Sequence, residues 1–372
     1  MKIERIELHH ISQQLVHPFR TSFGTQIERS CILVAVYSEG LIGWGEAVAS
    51  TDPGYSYETV TTSWHILNDY LVPACIGLDI TTPQDATHHF KKVRGHQMAK
   101  ASLENAIWDL LAKAEGVPLS QKLGGVRDRV EVGVSIGIQP TLQALLDRID
   151  SFVDLGYRRI KMKIEPGWEV EPISAVRARY PAIKLMGDAN SAFTLDDVAI
   201  FQKLDEYDLL MVEQPLYYDD IYEHSKLQAQ IKTAVCLDES IHAPQDARSA
   251  IELQACRIIN MKVARVGGLT NAIKIHDMSL EAGLEMWCGG MLETGVGRAT
   301  NVHLATMPNF TLPGDISASA RYYAEDIAEP IFELNQEDST LSVPSGPGIG
   351  VEVLMDRVEK VRVRHQVFDK SS

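Results

Sequence analysis

Five residues able to do acid, base or metal chemistry recur along one stretch of the chain: Lys163, Asp188, Glu213, Asp238 and Lys262, separated by 25, 25, 25 and 24 positions. Each ends or nearly ends a short apolar run, as in Leu209-Leu210-Met211-Val212-Glu213 and Val235-Cys236-Leu237-Asp238. That stride is one strand, one helix and two loops. If the strands are parallel and the sheet closes, five consecutive strand ends open into one mouth, where a (β/α)8 barrel keeps its chemistry.

Three converging carboxylates repel one another unless a cation joins them, and an all-oxygen donor set selects a hard divalent ion, Mg2+ or a substitute such as Mn2+. Taken singly, an Asp at a strand end also reads as a helix N-cap. The shared spacing argues for a shared role. Ile160-Lys161-Met162-Lys163-Ile164 alternates, so Lys161 and Lys163 share a face and Met162 takes the other. Two neighbouring, partly desolvated ammonium groups disfavour each other's charge, which moves Lys163 towards use as a base. Lys262, four strands later, falls on the opposite wall of an eight-strand ring. Two lysines facing each other across a metal-bound carboxylate form a two-base arrangement, with the metal stabilising the enediolate.

Ser135, near the end of the first barrel strand, reads as a substrate contact or as an ordinary barrel serine. Asn190, Gln214 and Glu239 stand beside or two beyond the acids and read as supports that hold them. Arg265, three residues after Lys262, either tunes that lysine or pairs with a surface acid. His9, His10, His17 and His96 show no ligand spacing with one another and read as structural.

The elements that must position these residues are legible as patterns. Residues 3–12, 29–38 and 41–49 alternate as strands of an antiparallel meander, with a tight turn in Tyr37-Ser38-Glu39-Gly40-Leu41. The loops 18–24 and 50–55 carry Phe19, Phe23 and Tyr55, and suit either lids over a ligand or plain hairpin ends. Helical periodicity covers 56–78, 83–93 and 98–115. Gly124-Gly125 marks a boundary, which gives an α+β capping domain over 1–125. Strand patterns at 130–137, 158–164, 183–189, 208–214, 234–239, 257–263, 284–289 and 311–316 supply an eight-strand barrel over 126–329, joined by right-handed helical crossovers. The segment 330–372 cannot form another βα unit and is expected to return to the capping domain.

Composition removes several classes. Lys plus Arg minus Asp plus Glu is 35 − 50 = −15, the wrong sign for a nucleic-acid binder. The 5 cysteines are widely spaced and without a Cys-x-x-Cys pair, which suits reduced residues in a cytoplasmic protein. No apolar run is long enough for a membrane span, and the first residues alternate like a strand rather than a leader.

The ordered motifs resemble the enolase superfamily, its muconate-lactonising subgroup, and within that the o-succinylbenzoate synthase / N-acylamino acid racemase family. The likeness is carried by Pro18-Phe19-Arg20-Thr21-Ser22-Phe23-Gly24, Lys163-Ile164-Glu165-Pro166-Gly167-Trp168, Asp188-Ala189-Asn190, Glu213-Gln214-Pro215-Leu216, Leu237-Asp238-Glu239-Ser240-Ile241, Trp287-Cys288-Gly289-Gly290-Met291 and Pro313-Gly314-Asp315. It implies an α/β fold, a modified (β/α)7β TIM barrel under an N-terminal cap completed by the C-terminal tail. It also implies Mg2+ on Asp188, Glu213 and Asp238, Lys163 and Lys262 as the acid/base pair, and Lys161 as electrostatic helper. The implied substrate is a small carboxylate: syn-dehydration of 2-succinyl-6-hydroxy-2,4-cyclohexadiene-1-carboxylate to 2-succinylbenzoate in menaquinone synthesis, with N-acyl or N-succinyl amino acid racemisation in the same site. A dedicated racemase or epimerase using the same lysines is the alternative. Phe19, Phe23 and Tyr55 would help select the substrate, and a homo-oligomer is the expected assembly. Val263-Ala264 before Arg265 departs from the family pattern, while the arginine that accompanies racemisation is kept.

Overall fold

Alternating residues from Arg5 onward extend as β1 (Arg5–Thr21), which returns as β2 (Gly24–Ser38) and then β3 (Leu41–Ala47). The turn at Glu39-Gly40 has both residues at positive φ, 50° and 80°, the conformation that matches the twist of paired strands. In this computed structural model, residues 1–21 and 24–370 of the chain are described. Of the stretch expected as a loop around 18–24, the described residues 18–21 and 24 instead prolong the β1–β2 ribbon, with a register shift between Gln14 and Phe19. Phe23 lies outside the described residues.

One face of this sheet is covered by the helix Gln97–Glu115, whose Ala99, Leu103, Ala106, Ile107 and Leu110 are fully buried. It sits almost on the backbone of β3. A Cβ at Gly43 would lie 2.0 Å from the Ala106 carbonyl oxygen, and one at Gly45 would lie 2.0 Å from that of Ser102, so only glycine permits the approach.

Beyond residue 125 the first expected strand divides. β4 (Arg129–Glu131) turns away to pair with a late segment, and only β5 (Val134–Ile136) enters the parallel sheet. Gly133 at the break lies against Arg159, which a side chain would strike. There follow β6 (Arg159–Lys163), β7 (Lys184–Asp188), β8 (Val212–Glu213), β9 (Val235–Leu237), β10 (Ile258–Met261) and β11 (Glu285–Cys288), forming a 7-stranded parallel sheet in order β11-β10-β9-β8-β7-β6-β5. Helices such as Leu142–Asp154, Val170–Arg179 and Leu269–Ala282 make the crossovers and bury the outer face.

The eighth expected strand, 311–316, is not a regular strand. It closes the sheet through a few bonds: Thr311 N–H donates to Met286 O at 3.2 Å and Asp315 N–H to Cys288 O at 2.9 Å on one edge, while Gly133 N–H donates to Gly314 O at 2.8 Å on the other. Pro313 has no N–H to give, and Gly314 adapts to both neighbours.

The tail divides its attention. β12 (Ala328–Glu329) and β14 (Glu352–Val353) pair with each other, and β13 (Thr340–Ser342) pairs with β4. Only β15 (Arg362–Asp369) joins the N-terminal sheet, antiparallel to β1, giving the order β15-β1-β2-β3. Of the part before it, β13 stays with the barrel through β4, whereas residues 348–349 reach the capping domain, with Leu119 N–H donating to Gly348 O at 2.7 Å and Ile349 N–H to Asp109 Oδ1 at 2.7 Å. Among the described residues no helix is long and apolar enough to cross a membrane. All 5 cysteines are buried and unpaired.

Candidate active site

Strand β6 reads Arg159-Ile160-Lys161-Met162-Lys163, and its alternation sends three cations to one face. Ile160 and Met162 join the apolar layer under the helices. Arg159 is buried, donating to the carbonyls of Pro313 at 3.1 Å and Gly314 at 2.6 Å, and pairing with Asp315 Oδ1 at 2.6 Å. Lys161 Nζ lies 3.1 Å from Asp315 Oδ2, 2.6 Å from Glu213 Oε2 and 2.8 Å from Asp188 Oδ2. Lys163 Nζ reaches the same Asp188 Oδ2 at 2.7 Å and also donates to Asn190 Oδ1.

The two ammonium groups therefore do not face each other bare, as the spacing argument supposed. A carboxylate sits between them. Burial works against charge on Lys161, but Asp188, Asp315 and Glu213 outweigh it and hold its pKa well above the usual lysine value. Burial likewise opposes ionisation of Asp188, yet Lys161 and Lys163 hold its carboxyl well below the ordinary range. Asp315 is pulled down to about 2 despite burial, by Arg159 and Lys161. Glu213 goes the other way, raised by burial and by the charge of Asp188 beyond what the lysines offset.

On the wall formed by β10, Lys262 Nζ lies 2.7 Å from Asp238 Oδ2 and donates to the Tyr55 hydroxyl at 3.1 Å, with its ammonium 4.3 Å above the Tyr55 ring. Tyr55 in turn donates to Asp238 Oδ1 at 3.0 Å. Burial opposes charge on Lys262, and Tyr55, Glu213 and Glu239 raise its pKa against that penalty and against Lys161. Arg265 pairs with Asp238 and is fixed by bonds to Ile241 O at 2.7 Å and Asn260 O at 2.6 Å, so it is a buried partner of the site rather than a surface residue.

Asn190 donates to Glu239 Oε1 at 2.8 Å while accepting from Lys163, and it stands at φ 41°. Gln214, at φ 37°, takes the Asp238 N–H on its Oε1 at 2.9 Å and gives its amide to Ser240 Oγ at 2.6 Å. Left-handed backbone on non-glycine residues costs energy that the surrounding bonds must repay, and such residues gather at working sites. Glu239 is raised to about 6 by burial and then by Asp188. Ser135 and Phe19 line the same cavity as Tyr55, Lys161, Lys163 and Lys262. The Ser135 hydroxyl is buried without a hydrogen-bond partner, and so available to a ligand.

Three contributors escaped the sequence reading as site residues. Arg159 extends the lysine alternation one step back. Asp315 lies in the irregular eighth segment. Asn260, two residues before Lys262, donates to Glu213 Oε1 at 2.7 Å. For Arg159 and Asn260 the signal was there, since both sit at an i−2 position to a lysine on an alternating strand.

A hard divalent ion fits this donor set. Asp188 and Glu213 are register partners on β7 and β8, Asp238 follows β9 immediately, and Glu239 Oε2 is buried with no partner. Lys161, Lys163, Lys262 and Arg265 also reach these acids.

The chain matches the family model of the mandelate racemase / muconate lactonizing enzyme N-terminal domain over residues 5–124 and the enolase C-terminal domain-like model over 144–357. It is 50% identical to an o-succinylbenzoate synthase of Geobacillus stearothermophilus, over 100% of this chain and 99% of that one. It is 46% identical to an N-succinylamino acid racemase of Thermus thermophilus, over 100% of both. A solved enolase-superfamily structure from Listeria innocua superposes with a TM-score of 0.95 at 40% identity, covering 98% of each chain.

Proposed function

The chain belongs to the mandelate racemase / muconate lactonizing enzyme group of the enolase superfamily, and on that footing we propose that it is an o-succinylbenzoate synthase, dependent on a divalent ion, that also racemises N-succinyl amino acids. The observation that carries this reading is the pairing of Lys163 on β6 with Lys262 beyond β10, both lining one cavity, with acids from β7, β8 and β9 between them.

In this reading Asp188, Glu213 and Asp238 would hold Mg2+, which would supply positive charge to neutralise the substrate carboxylate. Lys163 in its neutral form takes the proton from the carbon next to the substrate carboxylate. Lys161 and Lys262, as ammonium groups, face the negative charge that develops on the carboxylate oxygens. The proton on Lys163 then leaves with the hydroxyl of the cyclohexadiene as water, and the ring becomes aromatic. In racemisation Lys262 instead returns a proton to the opposite face, so each lysine is base for one enantiomer and acid for the other. Phe19 and Tyr55, and Phe23 by its place in the sequence, help select the substrate. The buried unpaired cysteines suit a cytoplasmic enzyme, and we extend the proposal to that location and to a homo-oligomer.

A dedicated racemase remains the second reading, favoured by the Arg265 contacts to Asp238 and Tyr55 beside Lys262. The test compares turnover of 2-succinyl-6-hydroxy-2,4-cyclohexadiene-1-carboxylate with loss of optical rotation from N-succinyl amino acids, with Mg2+ and after chelation. Faster dehydration that disappears on chelation and returns with Mg2+ is expected. Racemisation without dehydration would install the second reading, and chelator-resistant turnover would remove the metal from both.

A further inference from the structure

At the opposite end of the molecule's logic from the barrel, the seam between its first and last strands gathers three metal-type donors. Glu7 and His9 are two residues apart on β1 and so share a face, and His365 on β15 is the direct register partner of His9. Glu7 Oε2 lies 3.3 Å from His9 Nε2 and 3.1 Å from His365 Nε2, and the three donor atoms all lie within 4.8 Å of one another. Tetrahedral bonds of about 2.0–2.1 Å require donor separations of roughly 3.3–3.4 Å, close to the two pairs already formed. Arg5 Nε pairs with the other oxygen, Glu7 Oε1, at 3.1 Å, which leaves Oε2 turned to the imidazoles.

We propose that Glu7, His9 and His365 form a second metal site, for a zinc-class divalent ion, that clasps the last strand of the chain to the first. Two features separate this cluster from a chance grouping. His9 is 1% exposed, its Nδ1 has no hydrogen-bond partner, and its Nε2 meets only Glu7 Oε2. A desolvated imidazole with so few partners is costly, and an ion on Nε2 would give that nitrogen a stronger one. The His365 ring lies beside it, with centroids 4.5 Å apart, and the Nε2 atoms of both meet the same Glu7 oxygen.

The donor chemistry sorts ions between the two ends of the molecule. Two imidazoles and one carboxylate favour zinc-class ions, whereas the all-oxygen barrel set favours Mg2+. His365 is about one-third exposed, so a water can complete the coordination. The first and last strands otherwise meet through their backbone ladder, and β15 is largely exposed. His9 alone showed no ligand spacing in the sequence because its partner lies at the other end of the chain.

The test uses full-length protein held in excess Mg2+, stripped of other metals, exposed to Zn2+ and then freed of loose ions by gel filtration. Zinc per chain is measured by mass spectrometry for the unaltered protein and for His365→Asn and Glu7→Gln. The unaltered protein is expected to retain one more zinc equivalent than either variant and to melt higher with Zn2+ than without, a shift that both variants lose. Mg2+-supported turnover is expected to be the same in all three. Equal zinc in the unaltered protein and both variants would put the ion elsewhere and overturn the proposal, as would no zinc retained by the unaltered protein. Because turnover is read separately, failure here leaves the barrel assignment untouched.

Discussion

Buried carboxylates occur in two regions of this molecule, and their partners differ in kind. At the seam between the N-terminal sheet and the barrel, Glu46 accepts from Thr294 N–H at 3.2 Å, Thr294 Oγ1 at 2.6 Å and Gly297 N–H at 3.0 Å, capping the helix Gly295–Leu304. Glu58 does the same for the helix Gln97–Glu115 through Met98 N–H at 3.0 Å, and Asp109 ties Trp44 N–H and Ile349 N–H at 2.7 Å each. Most of these donors are backbone N–H groups and cannot leave; the side-chain donors are the Thr294 hydroxyl and Lys113 Nζ, 2.7 Å from Asp109 Oδ2. In the barrel mouth Asp188, Glu213 and Asp238 are met mainly by long cationic side chains, of which Lys161, Lys163 and Lys262 line the cavity. Backbone-held acids fix geometry, whereas lysine-held acids border the cavity. The distinction, rather than burial itself, marks the working site.

Changes in the two regions should therefore separate activity from stability. Lys163→Ala and Lys262→Ala are expected to lower turnover by about 10²–10⁴-fold, while the melting temperature moves little, because Asp188 keeps Lys161 and Asp238 keeps Arg265. Steady-state rates beside thermal melts decide this, and a large stability loss without an effect on rate would break the comparison. Glu46→Ala should invert the pattern. It leaves the donors of Thr294 and Gly297 buried and unpaired, at a cost of about 3–5 kcal/mol read by denaturant unfolding, with turnover per folded molecule within a few-fold of unaltered protein.

Glu104 sharpens the comparison with pH. Burial raises its pKa from 4.5 to about 7, against the pull of Thr270 and Trp108. A raised carboxyl means that the folded chain binds its proton more tightly than the unfolded chain. Stability is therefore lost as pH rises from 4.5 to about 7, by up to about 3 kcal/mol. Glu104→Gln should flatten this part of the stability profile, and an unchanged slope would show that another group sets it. The smallest effect expected is from Tyr55→Phe, which removes a hydroxyl shared by Asp238, Lys262 and Arg265. A fall of about 10-fold in kcat/KM with unchanged stability is the predicted outcome.

The regular 25-residue stride made the barrel and its five central residues legible, because strand ends in a parallel sheet turn distance along the chain into position around a mouth. The irregular eighth segment hid Asp315, since Pro-Gly-Asp carries no strand periodicity. The alternation that identified Lys161 and Lys163 applied equally to Arg159, which stood one step outside the run that was considered. The lysine contacts were not legible either: spacing shows that acids converge, but not which side chains from neighbouring strands reach them. The extension of the β1–β2 ribbon was missed because Gly and Pro near its tip read as loop, whereas pairing across the ribbon decides the outcome.

The central claim is that Lys163 and Lys262 serve opposite faces of one substrate carbon. Proton NMR in D2O, following exchange of the α-hydrogen of each N-succinyl amino acid enantiomer, tests it most directly. Unaltered protein should exchange both enantiomers, and Lys163→Ala and Lys262→Ala should each retain exchange for one enantiomer, with opposite preference. If both variants lose or keep the two enantiomers equally, the lysines do not divide the faces and the two-base account is wrong.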